Sequence, residues 1–168
     1  IDVLPQILKW KERIIKGLSQ SLFNLERKTL DDIMSNIPDE KTKNFYRMVK
    51  LVAISDNARR GREFSKAFLK NLDLMIDSVN DFVEISNHLS LRLGRMNIKA
   101  GDARWLPLEN ESIDGIVTSP PYSIALDYVA NDAHALQELG YSLSEIREGF
   151  IGVRGKNQER IELYNSDM

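Results

Sequence analysis

Apolar residues recur at three- and four-residue intervals through the first half of the chain, which is typical of amphipathic helices. Pro5 suits the first turn of a helix, because the N–H that proline lacks would have no partner there. Pro38 interrupts the pattern, residues 57–61 are predicted to form a loop, and the last stripe ends near Gly94. The sequence therefore predicts helices over residues 5–95, with these apolar stripes: Ile7, Leu8, Trp10, Ile14, Ile15, Leu18, Leu22 and Leu25; Phe45, Met48, Val49 and Val52; Phe64, Phe68, Leu72, Met75, Ile76, Val79, Phe82 and Val83.

The spacing of apolar residues changes after Gly94. Residues 96–100 alternate and end at Gly101-Asp102, which predicts a strand that runs into a turn. Residues 113–118 form a short, largely apolar run, as expected of a strand covered on both faces of a parallel sheet. The run stops at Pro120-Pro121, because proline cannot continue a central strand. The second part of the chain is therefore predicted to be α/β.

The remaining residues return to a helical pattern. Residues 125–148 are predicted to form helices with an interruption near Gly140, and the polar tail from Gly155 onward is expected to be mobile. The sequence therefore predicts three segments: residues 1–5, residues 6–95 and residues 96–168.

Composition narrows the class of protein. Hydrophobic residues make up 42% of the 168 residues and charged residues 29%, which is a globular balance. The absence of cysteine excludes disulfides and thiolate metal sites, and the separation of His88 from His134 makes us expect no metal. No membrane span and no signal peptide are evident, so we expect a cytoplasmic protein. The start at Ile1 instead of methionine indicates either a removed initiator segment or a fragment.

Charge is distributed unevenly between the two parts. Residues 1–95 hold 17 Lys and Arg against 13 Asp and Glu, whereas residues 96–168 hold 6 against 12. The first part is therefore the better candidate for contacts with nucleic-acid phosphates. Arg59, Arg60 and Arg62 are the candidate phosphate-binding residues, and a solvated loop is the alternative interpretation of the same run.

The run Thr118-Ser119-Pro120-Pro121-Tyr122 carries the candidate chemistry. Two successive prolines fix two φ angles and leave their carbonyl groups as acceptors with little freedom to move. Ser119 adds a further acceptor, and Tyr122 adds an aromatic face for stacking. Such a pocket suits a planar heterocycle held by its exocyclic amino group, whose nitrogen is made more nucleophilic by positioning and electrostatics without a metal.

This run resembles the signature of the S-adenosylmethionine-dependent amino-methyltransferases of nucleic acids. Ser119-Pro120-Pro121-Tyr122 matches that signature in full, and Gly101-Asp102-Ala103-Arg104 resembles the segment that leads into it. The resemblance implies that Ser119 and the Pro120 carbonyl hold the target amine and that Tyr122 stacks on a base flipped out of the duplex. It is specific over residues 96–155, which include Phe150-Ile151-Gly152-Val153-Arg154.

The same resemblance implies a cofactor site. Asp102 would lie near the adenine of S-adenosylmethionine, with Ala103 and Thr118 in the same site. Ile1-Asp2-Val3-Leu4-Pro5 resembles the end of the second strand in such enzymes, where Asp2 would bind the ribose hydroxyls. No glycine-rich cofactor loop occurs in the sequence. We therefore expect an upstream or separate fragment to carry it.

These expectations combine into one hypothesis with two alternatives. The fold is expected to be α/β, a partial Rossmann-like methyltransferase sheet with a large all-helical insertion over residues 6–95. The chain is expected to act as a site-specific DNA methyltransferase, and Ser119 at the first signature position favours N4 of cytosine over N6 of adenine. The alternatives are the same chemistry on an rRNA or tRNA base, and a catalytically incomplete module that only binds nucleic acid.

Overall fold

The computed structural model describes residues 3–20, 26–99, 101–102, 104–119, 127–150 and 157–167. Within these ranges every regular element is an α-helix, and none is a β-strand. The chain divides into two compact units, Ile1–Arg92 and Leu93–Met168. The predicted α/β fold, with its partial Rossmann-like sheet, is therefore wrong.

Four helices build the described part of the first unit, and the apolar stripes predict this helical character in outline. The described part of the expected first stripe, from Ile7 to Leu18, lies in one helix, whereas Leu22 and Leu25 lie outside the described residues; the predicted loop at residues 57–61 is helical as far as Arg60. Within the expected strand end at residues 1–5, the described residues 3–5 form no strand, because the first helix already begins at Leu4 and Pro5 lies in its first turn. The helices are α1 (Leu4–Gln20), α2 (Glu26–Ser35), α3 (Glu40–Arg60) and α4 (Phe64–His88).

Helix α3 is capped at both ends by residues suited to the task. Asp39 precedes it with an extended backbone, and its carboxylate accepts a hydrogen bond from the Thr42 N–H at 2.7 Å. Gly61 follows it in the left-handed conformation, with φ 61°, and donates its N–H to the Asn57 carbonyl oxygen at 3.0 Å. These two caps define α3 more sharply than its weak apolar periodicity does.

Helix α4 ends in a Schellman motif without a glycine. The N–H of Leu91 donates to the Ser86 carbonyl oxygen at 2.9 Å, and the N–H of Ser90 donates to that of Asn87 at 3.1 Å. Ser90 therefore takes a φ of 49°, which is unfavourable for a residue with a Cβ.

The core of the first unit lies between its four helices. Tyr46 on α3 is fully buried, and its hydroxyl donates to the Ile7 carbonyl oxygen on α1 at 2.6 Å. Each large apolar side chain buried there contributes about 1.5–3 kcal/mol to the stability of the fold. The core consists of these residues: Ile7, Trp10, Ile14, Leu18, Leu30, Met34, Ile37, Tyr46, Val49, Ala53, Ile54, Phe64, Ala67, Phe68, Leu72 and Ile76.

Two ion pairs join the helices at the edge of this core. The Lys50 ammonium on α3 lies 2.7 Å from the Asp31 carboxylate on α2, and Lys11 on α1 lies 2.8 Å from Asp73 on α4. Lys50 is largely buried, so its pairing with Asp31 offsets part of the cost of removing its charge from water. Lys11 is more exposed, and its pairing with Asp73 is correspondingly more screened by solvent.

The second unit contains short helices. Gly140, with φ 82°, separates α6 from α7 and confirms the predicted interruption at this residue. Asp127 caps α5 by accepting from the Ala130 N–H at 2.9 Å and also pairs with Arg147 on α7 at 2.7 Å. The tail expected to be mobile contains α8. The helices are α5 (Tyr128–Asn131), α6 (Ala133–Glu138), α7 (Leu143–Gly149) and α8 (Asn157–Asp167).

The two predicted strands, at residues 96–100 and 113–118, do not form among the described residues. A central strand is stable only when neighbouring strands satisfy its N–H and C=O groups and other elements cover its faces. Neither condition is met here. Ile116 is 83% exposed and Val117 is fully exposed. The apolar character of residues 113–118 predicts that these residues are buried. Their exposure is the physical reason why the fold prediction is wrong.

Candidate functional site

The predicted amine pocket begins at the end of this exposed run. Thr118 and Ser119 are exposed, and neither lies in a helix or a strand. Pro120, Pro121 and Tyr122 lie outside the described residues. Because residues 113–117 form no strand, the expectation that the pocket sits at a strand tip is wrong. Since the structure describes only the first two residues of the run, the amine pocket itself stays a prediction.

Asp102, the predicted cofactor ligand, forms a local turn with Arg104. Its Oδ1 accepts hydrogen bonds from the Arg104 backbone N–H at 3.0 Å and from Nε at 2.9 Å. Its Oδ2 lies 2.6 Å from the Arg104 Nη2, which completes a fork between guanidinium and carboxylate. The structure thus gives Asp102 a role in the turn, and Ala103 lies outside the described residues.

Of the candidates for the cofactor site, only Asp102 and Thr118 lie among the described residues. Asp2 lies outside the described residues, and the residues that follow it begin a helix instead of ending a strand. Asp102 is occupied by Arg104, and the 168 residues contain no glycine-rich loop. The cofactor site therefore stays a prediction, of which the structure describes Asp102 in a turn and Thr118 in exposed chain.

The predicted phosphate-binding arginines do come together. Arg59 and Arg60 lie in the last turn of α3, and Arg62 follows in the short connection to α4. The Asp56 carboxylate lies 2.7 Å from the Arg60 Nη1 and 3.0 Å from the Arg62 Nη1, so these two guanidinium groups share one anion. Arg59, three residues after Asp56 on the same helix, is exposed.

Asp56 is the electrostatic centre of this cluster. Its side chain is only 13% exposed, and Asn71 on α4 donates a hydrogen bond to Oδ2 at 3.2 Å. That hydrogen bond lowers the pKa of the Asp56 carboxyl below its ordinary 3.8, and the charges of Arg60 and Arg62 lower it further, against the opposing effect of burial. Asp56 therefore remains ionised and keeps both arginines in place at neutral pH.

Sequence reasoning missed Asp56, Asn57 and Arg27, which complete this cluster. The spacing of Asp56 and Arg60 by four residues on a helix is an available signal, but the prediction of a loop at residues 57–61 conceals it. Arg27 is 30 residues from Asn57 in the sequence, and only the packing of α2 against α3 brings their side chains together.

Comparisons with known proteins do not assign the chain to a family. No protein-family model, no curated protein and no solved structure matches it. Among the described helices, none combines the length and the apolar character needed to cross a membrane.

Proposed function

We propose that this chain takes part in the methylation of an exocyclic amino group on a nucleic-acid base, with S-adenosylmethionine as the methyl donor. The complete Ser119-Pro120-Pro121-Tyr122 sequence supports the proposal because it combines fixed acceptors with a stacking ring. The favoured target is N4 of cytosine in DNA, since serine occupies the first position of the signature.

One structural observation carries the proposal. Thr118 and Ser119, which begin the signature, are exposed at the end of an exposed apolar run. A flipped base must reach its pocket from outside, so a signature packed inside the protein would have contradicted this function. The Ser119 hydroxyl and the Pro120 carbonyl would accept hydrogen bonds from the amine. Tyr122 would hold the ring plane by stacking.

The proposal requires a partner, either an upstream segment of the protein or a separate chain, that carries the glycine-rich cofactor loop. This chain has no glycine-rich loop, and Asp102 is paired with Arg104. Exposed apolar side chains concentrated in one segment are typical of surfaces that bind another protein. Met96 is 87% exposed, Ile98 86% and Ile116 83%, so the segment that precedes the signature is the surface we assign to this partner.

The direct test is a methylation assay on the chain purified from its native cells with the proteins that accompany it. Duplex DNA and structured RNA are each incubated with methyl-labelled S-adenosylmethionine, digested to nucleosides and separated. We expect label in N4-methylcytosine from DNA. Label in an RNA nucleoside would correct the substrate, and no label in either nucleic acid would contradict the function.

Variants of the aromatic residue connect any activity to this chain. Tyr122→Ala should remove stacking worth about 1–3 kcal/mol and depress turnover strongly. Tyr141→Ala is the matched control, because Tyr141 is 56% exposed in the second unit and has no assigned role. Full activity of Tyr122→Ala would show that the signature is not the pocket.

Cofactor binding separates this chain from its proposed partner. The chain alone should bind S-adenosylmethionine weakly or not at all in calorimetry, because the loop that cradles the methionine part is absent from its sequence. Tight binding by the isolated chain would contradict the assignment of the cofactor site to a partner.

A second candidate function is nucleic-acid binding without catalysis. The helical structure of the described residues favours it, as does the clustering of Arg59, Arg60 and Arg62 on a well-packed unit. The assay distinguishes the two functions, because a binding module would retain DNA or RNA while transferring no label.

A further inference from the structure

Four arginines surround the C-terminal end of α3, and we call them the basic corner. Arg27 comes from the first turn of α2, Arg59 and Arg60 from the last turn of α3, and Arg62 from the connection to α4. Three separate segments of the first unit therefore contribute charge of one sign to one place.

Asn57 fixes the geometry of the basic corner. Its Oδ1 accepts a hydrogen bond from the Arg27 Nη2 at 2.9 Å, and its Nδ2 donates to the Arg62 carbonyl oxygen at 2.6 Å. Its own carbonyl accepts the Gly61 N–H at 3.0 Å. One residue thus joins the start of α2 to the turn after α3, so the corner is already formed before a ligand arrives and less ordering is needed on binding.

An aromatic ring restrains one of the four guanidinium groups. The Cζ of Arg27 lies 5.2 Å from the centroid of the Phe64 ring, within the range of a cation–π interaction. Phe64 is only 6% exposed and belongs to the core, so the ring offers Arg27 a fixed surface. Arg27 is therefore held from two sides, by Phe64 and by Asn57.

The charge of the basic corner is only partly compensated. The Asp56 carboxylate pairs with Arg60 and Arg62, so the four guanidinium groups and this carboxylate together leave a net charge of +3. Arg59 makes no ion pair with any described residue, and the Arg60 side chain remains 62% exposed despite its pairing. Donor groups are thus available to an external anion.

We propose that the basic corner binds the phosphates of a nucleic-acid backbone. A guanidinium group presents a planar pair of donors that matches a phosphate, and all four charges of the corner are of this kind. Insertion into a membrane interface would require exposed apolar side chains beside the charges, and Phe64 in this corner is buried. The inference rests on the proposed function, which takes nucleic acid as the substrate. It adds the surface of the protein that binds the nucleic-acid backbone.

The test measures binding of labelled duplex DNA and duplex RNA to the full chain by fluorescence anisotropy over a series of salt concentrations. The Arg59→Ala/Arg60→Ala double variant should weaken binding by about tenfold near 0.1 M salt for each phosphate group that it no longer binds. The slope of log affinity against log salt should fall by about one for each such phosphate. Vesicles of phosphatidylserine and phosphatidylcholine should not bind.

Arg47→Ala is the matched control. Arg47 lies on the same helix, its side chain is 51% exposed, and it pairs with Glu40 at 3.2 Å, so its removal takes one positive charge from the opposite half of α3. We expect little change in its affinity or salt slope. Circular dichroism melting should show that both variants fold, since the substituted side chains are exposed.

The outcomes separate this inference from the proposed function. Equal affinity and salt slope for the double variant and the wild type would overturn the basic corner, even if methylation proceeded. Binding to vesicles but not to either duplex would also overturn it. Loss of duplex binding in the double variant, combined with an absence of methylation by the wild type, would support the corner while rejecting methyl transfer.

Discussion

The two parts of this chain differ most in what surrounds their apolar residues. In the helical unit, Phe68 and Leu72 are completely buried, and Tyr46 forms a buried hydrogen bond to another helix. In the segment before the signature, Ile116 and Val117 are almost fully exposed. Similar side chains thus lie in opposite environments within one chain.

The residues that stabilise the fold therefore differ from the residues that carry the proposed chemistry. The first unit has its own core and helices with defined caps, yet none of its core residues belongs to the predicted amine pocket or cofactor site. The residues that begin the signature, Thr118 and Ser119, lie in exposed chain without regular structure. We infer that the first unit provides stability and the basic corner, whereas the exposed apolar residues before the signature contribute little to the stability of this chain.

The largest expected difference in stability comes from replacing one apolar side chain by alanine in each region. Phe68→Ala should destabilise the chain by about 3–5 kcal/mol, because it opens a cavity in the core. Val117→Ala should change the free energy of unfolding by less than about 0.5 kcal/mol, because Val117 is fully exposed. Urea denaturation followed by circular dichroism measures both. A comparable loss in Val117→Ala would show that this residue is buried and would remove the contrast.

A second pair of variants tests the same contrast between the two regions by removing one tyrosine hydroxyl group from each. Tyr46→Phe removes the buried hydrogen bond to the Ile7 carbonyl and should cost about 1–2 kcal/mol. Tyr141→Phe is the control, since this tyrosine is 56% exposed and its hydroxyl makes no bond with the described residues. If both variants were equally stable, the link between α1 and α3 would contribute nothing.

The helical unit is largely predictable from the sequence because its stripes are local. Ile7, Trp10 and Ile14 are spaced as a helix requires, and all three are buried. The strands at residues 96–100 and 113–118 are predicted by the same kind of reasoning and are wrong. An apolar run shows that a residue gains from burial, but only the rest of the fold decides whether anything covers it.

A smaller effect should appear in acid. The folded chain lowers the pKa of Asp56 below its ordinary 3.8, so the stability that this carboxylate contributes is present above that value and is lost as the pH falls through the lowered pKa. Asp56→Asn should therefore lose less stability than the wild type between neutral pH and strong acid. Urea midpoints at a series of pH values measure this, and parallel curves for the two proteins would contradict it.

The smallest effect concerns the end of α4. Ser90→Gly should stabilise the first unit by less than about 1 kcal/mol, because glycine takes a positive φ without strain but costs more chain entropy on folding. The midpoint of thermal unfolding measures the gain. Destabilisation would indicate that the Ser90 side chain makes a contact that outweighs its backbone strain.

The candidate sites are predictable to different degrees. Arg59, Arg60 and Arg62 are recognisable as a group because they are neighbours in the sequence, whereas Arg27 joins them only through the packing of α2. For Asp102, the sequence indicates a turn or a cofactor ligand. The structure shows the turn, in which the Arg104 guanidinium group pairs with the Asp102 carboxylate.

Hydrogen exchange of the full chain, followed by mass spectrometry, tests the central contrast most directly. The amides of α3 and α4 should be strongly protected, whereas residues 113–119, whose amides make no hydrogen bond to other described backbone groups, should exchange at nearly the rate of an unfolded peptide. Protection of residues 113–119 comparable to that of α3 in the isolated chain would contradict this account.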